Sequence, residues 1–372
     1  MKKAAIGILL LLPFLTGCWD RLPLKTLHLI DMAGIDVDEK SGDVVLHYII
    51  TQLNNSGQGG GNQKSEITEL KGHSLIEAVG KGNFTDEGPF VAIHTSVYFL
   101  SKRFVSNDPV HELAFLLHAP YTAINTPVVV LEDGNMSKLL KSKLGTKKDF
   151  TKNLYDFVLS LKQNGIAPEV TMMQFILSRE DPFGDIALPV LKSSKSGMEL
   201  GGALLFHQGT NTGKVLDKDQ VRMLMLMLGK KVGRQPFTGN LSGKGEDNKI
   251  NYGFSVKKND SKITIQPESG GLPKVKMGVE LQINIYELGK SVRTYNSDYV
   301  NRMEKELSKH LEGMALEMIE TSQKANCDVL GIGKQLKAYH PNIWKSLNWR
   351  KDYPRLSIEP QIDVQILNPE IE

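Results

Sequence analysis

The chain has 372 residues, a mass of 41.3 kDa, 40% hydrophobic and 23% charged residues, a length that predicts two to three domains with cores large enough to need no staple. This composition excludes wholesale disorder, collagen-like repeats and a polytopic membrane protein. The formal net charge is +3, and removal of a leader carrying Lys2 and Lys3 takes it to +1, too near neutral for an electrostatic nucleic-acid binder. That leader comes first along the chain. Lys2 and Lys3 form a basic start, and Ala4 to Leu15 form an apolar run of the length of a signal peptide, too short to span a bilayer. The run ends at Leu15-Thr16-Gly17-Cys18, which reads as a bacterial lipobox with Cys18 as the lipidated residue and residues 1–17 as a lipoprotein signal peptide. Acyl chains add about 0.8 kcal/mol per buried CH2, so two or more give stable anchoring. The expected place is the outer face of the cytoplasmic membrane, tethered through Cys18.

The mature chain then divides into an N-terminal α+β region, 18–195, and a C-terminal α+β domain, 196–372. Leu27–Val37 and Val44–Ile50 predict two strands joined by a turn at Asp38–Asp43. Residues 56–62 are Gly-rich and predict a flexible loop. A short helix with a Ser74 cap follows, then a strand over Phe90–Leu100, a helix from Asp108-Pro109 to Leu117, and a buried strand at Pro127–Leu131. Phe150, Leu154, Phe157 and Leu161 recur at helical spacing, and Pro168–Leu177 also reads as helical. Strands and helices mix without a regular βαβ rhythm, which points to α+β rather than a doubly wound sheet. Lys192–Gly197, Ser/Lys-rich and without periodicity, marks the expected boundary.

Beyond it, Leu200–Phe206 and Val215-Leu216 predict strands, and Asp217 predicts the cap of a core helix containing Met223–Leu228. Gly239–Asn248 reads as a loop and Ile263–Ile265 as a short strand. Val275, Met277, Val279, Leu281, Ile283 and Ile285 alternate over a long half-buried strand. Val300, Met303, Leu307, Leu311, Met314 and Met318 form a helical stripe capped by Ser297 or Asp298, with Glu304 and Glu312 on a solvated face. Leu356 to Ile366 closes the chain as an alternating strand.

Each candidate for chemistry fails on spacing. His111 and Glu112 begin like a zinc-protease helix, but His118 lies two turns away rather than one. Asp36-Val37-Asp38 resembles the start of a calcium loop, but Lys40 occupies the next ligand position and Gly42 comes one residue late. Gly331-Ile332-Gly333-Lys334 lacks the first glycine of a phosphate loop, where Asp328 stands, and Gln335 replaces the Ser/Thr that holds magnesium. Ile76 breaks a nucleophile elbow at Gly72–Ile76. His47 and His94 fall in strand-like segments and read as sheet histidines, the Met223, Met225 and Met227 run as core filler, and Cys327 as a small buried residue. The residues therefore predict no enzyme, no catalytic residue, no metal and no cofactor beyond the acyl anchor on Cys18.

Several words of the chain resemble one family. Gly17-Cys18-Trp19-Asp20-Arg21 is similar to the mature start of the spore germination C-subunit lipoproteins, the Ger(x)C family. Ala33–Asp38, Gly72–Ala78 and His94–Leu100 resemble that family's first strand and turn, its short helix and its next strand. Cys327-Asp328-Val329-Leu330-Gly331-Ile332-Gly333, Tyr339–Trp344 and Trp349 resemble its C-terminal Asp-x-x-Gly-x-Gly turn, short helix, Pro and Trp. The resemblance implies three consecutive α/β domains and a lipid-anchored subunit of a nutrient germinant receptor in the spore inner membrane. It further implies two integral membrane subunits as partners and no enzymatic activity. A solute-binding lipoprotein of a membrane transporter is the rival, and it predicts two doubly wound lobes.

Overall fold

The computed structural model describes residues 28–53, 63–85, 90–132, 134–146, 150–195, 197–232, 236–242, 249–268, 271–289 and 296–368. In chain order these hold β1 (His28–Val37), β2 (Val44–Leu53), β3 (Gln63–Gly72), α1 (Leu75–Lys81), β4 (Phe90–Val91), β5 (Val97–Ser101), α2 (Lys102–Ser106), α3 (Pro109–Leu113), β6 (Val128–Leu131), α4 (Met136–Thr146), α5 (Phe150–Gln163) and α6 (Met172–Leu177). There follow β7 (Asp185–Ser194), β8 (Gly197–His207), β9 (Thr210–Leu216), α7 (Lys218–Met227), β10 (Phe237–Ser242), β11 (Lys249–Gln266), β12 (Lys274–Leu288), α8 (Ser297–Lys324), α9 (Ile332–Tyr339), α10 (Pro341–Ser346), α11 (Trp349–Asp352) and β13 (Ser357–Ile366). The leader, Cys18 and the 56–62 loop lie outside the described residues.

The fold class is α+β. The first sheet runs β3-β2-β1-β5-β6-β7-β8-β9, with the short β4 also paired to β1. Its centre is parallel: β1, β5, β6 and β7 are parallel neighbours, while β2, β3, β8 and β9 add antiparallel flanks. Every residue of β5 and β6 is buried, as expected where helices cover both faces of a parallel centre. The second sheet runs β10-β11-β12-β13. The family resemblance implied three domains in a row, whereas the described strands make these two sheets. The residues expected to be a boundary, 192–197, lie where β7 folds back into β8, and the first sheet continues through them by pairing Ser194 with Gly197.

Local chemistry explains the elements. Asp38 accepts the backbone N–H groups of Lys40 and Ser41 at 2.9 Å each, which closes the β1–β2 turn. Ser74 caps α1, and Asp217 with Gln220 forms a capping box at α7. The alternating residues of β12 are all buried from Val275 to Ile285. Met303, Leu307, Leu311, Ala315 and Met318 give α8 one buried stripe, and α8 packs along β13.

Several elements differ from the expectation. Phe90–Leu100 is not one strand: a turn at residues 92–96 separates β4 from β5 and carries His94 on the surface. Gly239 to Ser242 belong to β10 rather than a loop. Ile263–Ile265 are the end of the 18-residue β11. Helix α6 starts only at Met172, because Thr171 and Gln174 form its capping box. The cap of α8 is Asn296, whose side chain accepts from Tyr299 N–H at 2.8 Å.

Glu304 and Glu312 do not sit on a solvated face. They accept the N–H groups of Ile366 at 2.7 Å and Ile362 at 3.0 Å, and Ser308 accepts that of Val364 at 3.2 Å. Strand β13 is an edge, so its outward N–H groups need partners, and one face of α8 supplies them at every turn.

Candidate functional site

Just past the end of α8, Asn326 takes the left-handed conformation (φ 47°) that stops helices, and its amide donates to the Arg350 carbonyl at 2.9 Å. The next two residues plunge into the protein. Cys327 is fully buried and its thiol donates to the Phe206 carbonyl at 3.2 Å. Burial pushes that thiol well above its usual range, and the neighbouring Asp185 and Asp328 charges push it further, so it stays protonated and unreactive. The Ser322 hydroxyl donates to the Cys327 carbonyl, and the phenol of Tyr353, itself raised by burial, donates to the Ser322 oxygen at 2.7 Å.

Asp328 accepts the backbone N–H groups of Ile332 at 3.0 Å and Gly333 at 2.7 Å, so it caps the first turn of α9. Its carboxyl is pushed up to about 7, chiefly by burial, with the two N–H groups pulling the other way and the Asp185 charge adding to the rise. Gly331 makes the turn possible at φ 74°, a left-handed conformation that side chains resist.

Asp185, the first residue of β7, ties this turn to the first sheet. Its carboxylate is 1% exposed and accepts from Arg350 Nη1 at 2.7 Å and the Asp328 N–H at 2.7 Å. It also lies 2.8 Å from His207 Nδ1 at the end of β8. Burial opposes ionisation, yet the His207 and Arg350 contacts outweigh it and hold this carboxyl below its usual range. Arg350 further donates to the Pro182 carbonyl at 2.6 Å.

An aromatic row flanks the junction. Phe183, Trp344, Trp349 and Tyr353 follow one another with ring centroids 5.3, 5.6 and 5.3 Å apart. The row runs from Tyr353 beside the turn to Phe183, two residues before β7. Gly333 lies under Trp349: a Cβ there would stand 2.5 Å from the indole Cε2.

The other residues singled out in the sequence are scattered. His111 and His118 lie at the surface around α3 and the turn after it. Asp36 is buried and paired with Arg103, not with a cation site. Lys334 lies in α9, after the Asp328 cap. His47 is buried in β2. Met223, Met225 and Met227 are core residues. Among the described residues no group of three or more His, Cys, Asp or Glu is placed to hold a metal ion, and no helix is long and apolar enough to cross a membrane. Sequence reading missed Asp185, His207 and Arg350, which carry no local pattern; the one available signal was the Cys327-Asp328 pair directly behind a strong helix.

The junction joins two stretches with separate likenesses. Residues 20–193 match the family model described as "Spore germination protein N-terminal domain", and residues 201–370 match "Spore germination B3/GerAC like, C-terminal". The chain belongs to the GerAC-like spore germination family. This GerAC-like chain is 22% identical over 368 residues to spore germination protein GerQC of Bacillus cereus, across 98% of both chains. It is 22% identical over 400 residues to spore germination protein KC of Bacillus subtilis (strain 168), across 98% of this chain and 96% of that one. Its fold is similar to the crystal structure of the GerBC protein, with a TM-score of 0.59 and 17% identity, across 90% of this chain and 97% of that one. In the GerAC-like frame, Asp185 comes from the N-terminal match and Cys327, Asp328 and Arg350 from the C-terminal one, so the buried junction ties the two matched segments together, in addition to the β7–β8 pairing.

Proposed function

We propose that the protein is the lipid-anchored C-type subunit of a nutrient germinant receptor, held at the outer face of the spore inner membrane through Cys18 and docked on two integral membrane subunits. The observation that carries this reading is the pair of germination-family matches running in order over nearly the whole chain, behind a leader that ends in Leu15-Thr16-Gly17-Cys18. The body fits such a role physically. It offers a rigid, nearly neutral surface, its buried ionisable groups serve packing, and a tether raises its local concentration at membrane partners so that each contact patch can be modest. The mixed nine-stranded sheet is unlike the two doubly wound lobes expected of a solute-binding lipoprotein.

The test is Cys18→Ala in the intact chain, with metabolic labelling by a fatty-acid analogue and a germination assay on spores. The expected outcome is loss of label, loss of co-purification with the membrane subunits from detergent extracts and slowed nutrient response. Label retained on the variant overturns the anchor, and full response to every nutrient without the chain overturns the receptor role.

A further inference from the structure

A cleft of about 920 Å3 lies on the first sheet, away from the junction. It opens at the carboxyl ends of three adjacent parallel strands, β1, β5 and β6, where Asp36, Arg103 and the start of α4 converge. Carboxyl ends of parallel strands are where open α/β sheets gather loops and helix N-termini around ligands.

The floor of the cleft holds an unmet polar atom. His47 sits in the middle of β2 with its side chain 2% exposed, and its Nδ1 has no hydrogen-bond partner. The nearest carboxylate oxygen, on Glu69, is 3.9 Å away, beyond bonding distance. Burial lowers the imidazole pKa against the pull of Glu69 and Asp36, so the ring is neutral and has one hydrogen bond to give or take. Buried polar atoms without partners are uncommon, and each calls for a reason.

The walls are charged but unevenly matched. Asp36 and Glu39 are both held by Arg103, Asp38 by Lys71 at 3.3 Å, and Glu69 by Lys141 at 2.6 Å and the Ser137 hydroxyl at 2.5 Å. Lys40 and Lys138 line the same cleft, and among the described residues neither has a carboxylate within 4.0 Å. Lys138 stands in the first turn of α4, an 11-residue helix whose N-terminus adds partial positive charge. Four carboxylates and four cations line the cleft, with Arg103 shared between Asp36 and Glu39, and among the described residues Lys40 and Lys138 are the two cations that touch no acid.

We propose that this cleft binds a small hydroxylated organic anion, a carboxylate or a phosphate ester, with its acid group between Lys40, Lys138 and the N-terminus of α4 and a hydroxyl against His47 Nδ1. Nothing in this site depends on the anchor or on the membrane partners, so it stands or falls separately from the receptor role.

The experiment is histidine side-chain 15N NMR on the full chain in detergent, titrated at constant ionic strength with glycerol 3-phosphate and with glycerate. The two probes carry hydroxyls with different acid groups. The His47 signal is assigned by its absence in His47→Gln. Saturable movement of that signal is expected with at least one probe, and the effective probe names the acid class. Lys40→Ala with Lys138→Ala should weaken the binding by about tenfold or more, the scale of a lost charge-assisted contact, while Lys305→Ala on the exposed side of α8 leaves it unchanged. Two results overturn the site: a His47 signal unmoved by either probe, or equal titration in the lysine double variant and Lys305→Ala. The lysines are exposed, so their removal leaves the fold intact even where His47→Gln does not.

Discussion

Asp185→Asn tests the junction most directly. The wild-type carboxylate takes three contacts within 2.8 Å while 1% exposed. The amide oxygen can still accept from Arg350 and the Asp328 N–H, which share one carboxylate oxygen, while the NH2 group turns to His207 Nδ1, so the main loss is the negative charge opposite Arg350. Breaking a buried ion pair by removing one charge costs about 3–5 kcal/mol. Here Arg350 and His207 are 25% and 28% exposed, so water takes up part of their loss, and the expected destabilisation is about 3 kcal/mol, at the lower end of that range. Urea unfolding followed by tryptophan emission reads it, because Trp344 and Trp349 stand in the aromatic row beside the junction. The pH dependence has a definite sign. Asp185 is held below its ordinary carboxylate range, so its contribution is complete above about pH 4 and is lost as pH falls through the lowered folded value. The deficit of the variant should therefore shrink as pH falls below about 4. A variant within about 0.5 kcal/mol of wild type at neutral pH would refute the assignment of Asp185 as a tie between the two segments.

The two glycines of the turn should separate by mechanism. A Cβ on Gly331 meets open space at a left-handed φ, so Gly331→Val should cost on the order of 1–2 kcal/mol in thermal melts with native tryptophan emission retained, and Gly331→Asn should cost less. A Cβ on Gly333 collides with Trp349, so Gly333→Ala should cost about 1–3 kcal/mol and also shift emission before any unfolding; unshifted emission refutes that contact. Asp328, with its carboxyl pushed up to about 7, holds its proton in the fold at pH values where the unfolded chain has released it. Stability contributed at this site therefore falls as pH rises from about 4 to about 7, and Asp328→Asn should gain on wild type across that window in urea midpoints; parallel curves refute the raised value.

How much of this was legible in the sequence depends on how many faces each element buries. Strand β12 and helix α8 each bury one face, so period 2 and period 3.6 stand out along them. Strand β3 is a largely polar edge, Gln63 to Gly72, and gave no such signal. Strand β11 carries the polar run Lys257-Lys258-Asn259-Asp260 in its middle; the strand passes through it with a register shift beside Lys258, and the Asn259 amide donates to the Leu226 and Lys230 carbonyls at and just after the end of α7. Glu304 and Glu312 read as solvated because charge on a helix usually is, and only the neighbouring edge strand gives them their role. The junction was the least legible part of all. Arg350 and Asp185 lie 165 residues apart, and nothing near either one points to the other. The family words around Cys327 were visible, but their physical reason needed the far ends of β7 and β8.

The position of β1 has a mechanical meaning. It is the strand nearest the N-terminus in the described chain, yet it lies in the interior of the sheet, antiparallel to β2 over Ile30–Val37 and parallel to β5 over Met32–Ile35. Tension arriving through the residues before His28 enters along the axis of that strand. The hydrogen bonds to both neighbours lie across the pull, so they must shear together instead of peeling one after another. A chain secured from its front end is thus gripped at the middle of its larger sheet, and force on the leash spreads over both flanks before any edge begins to open.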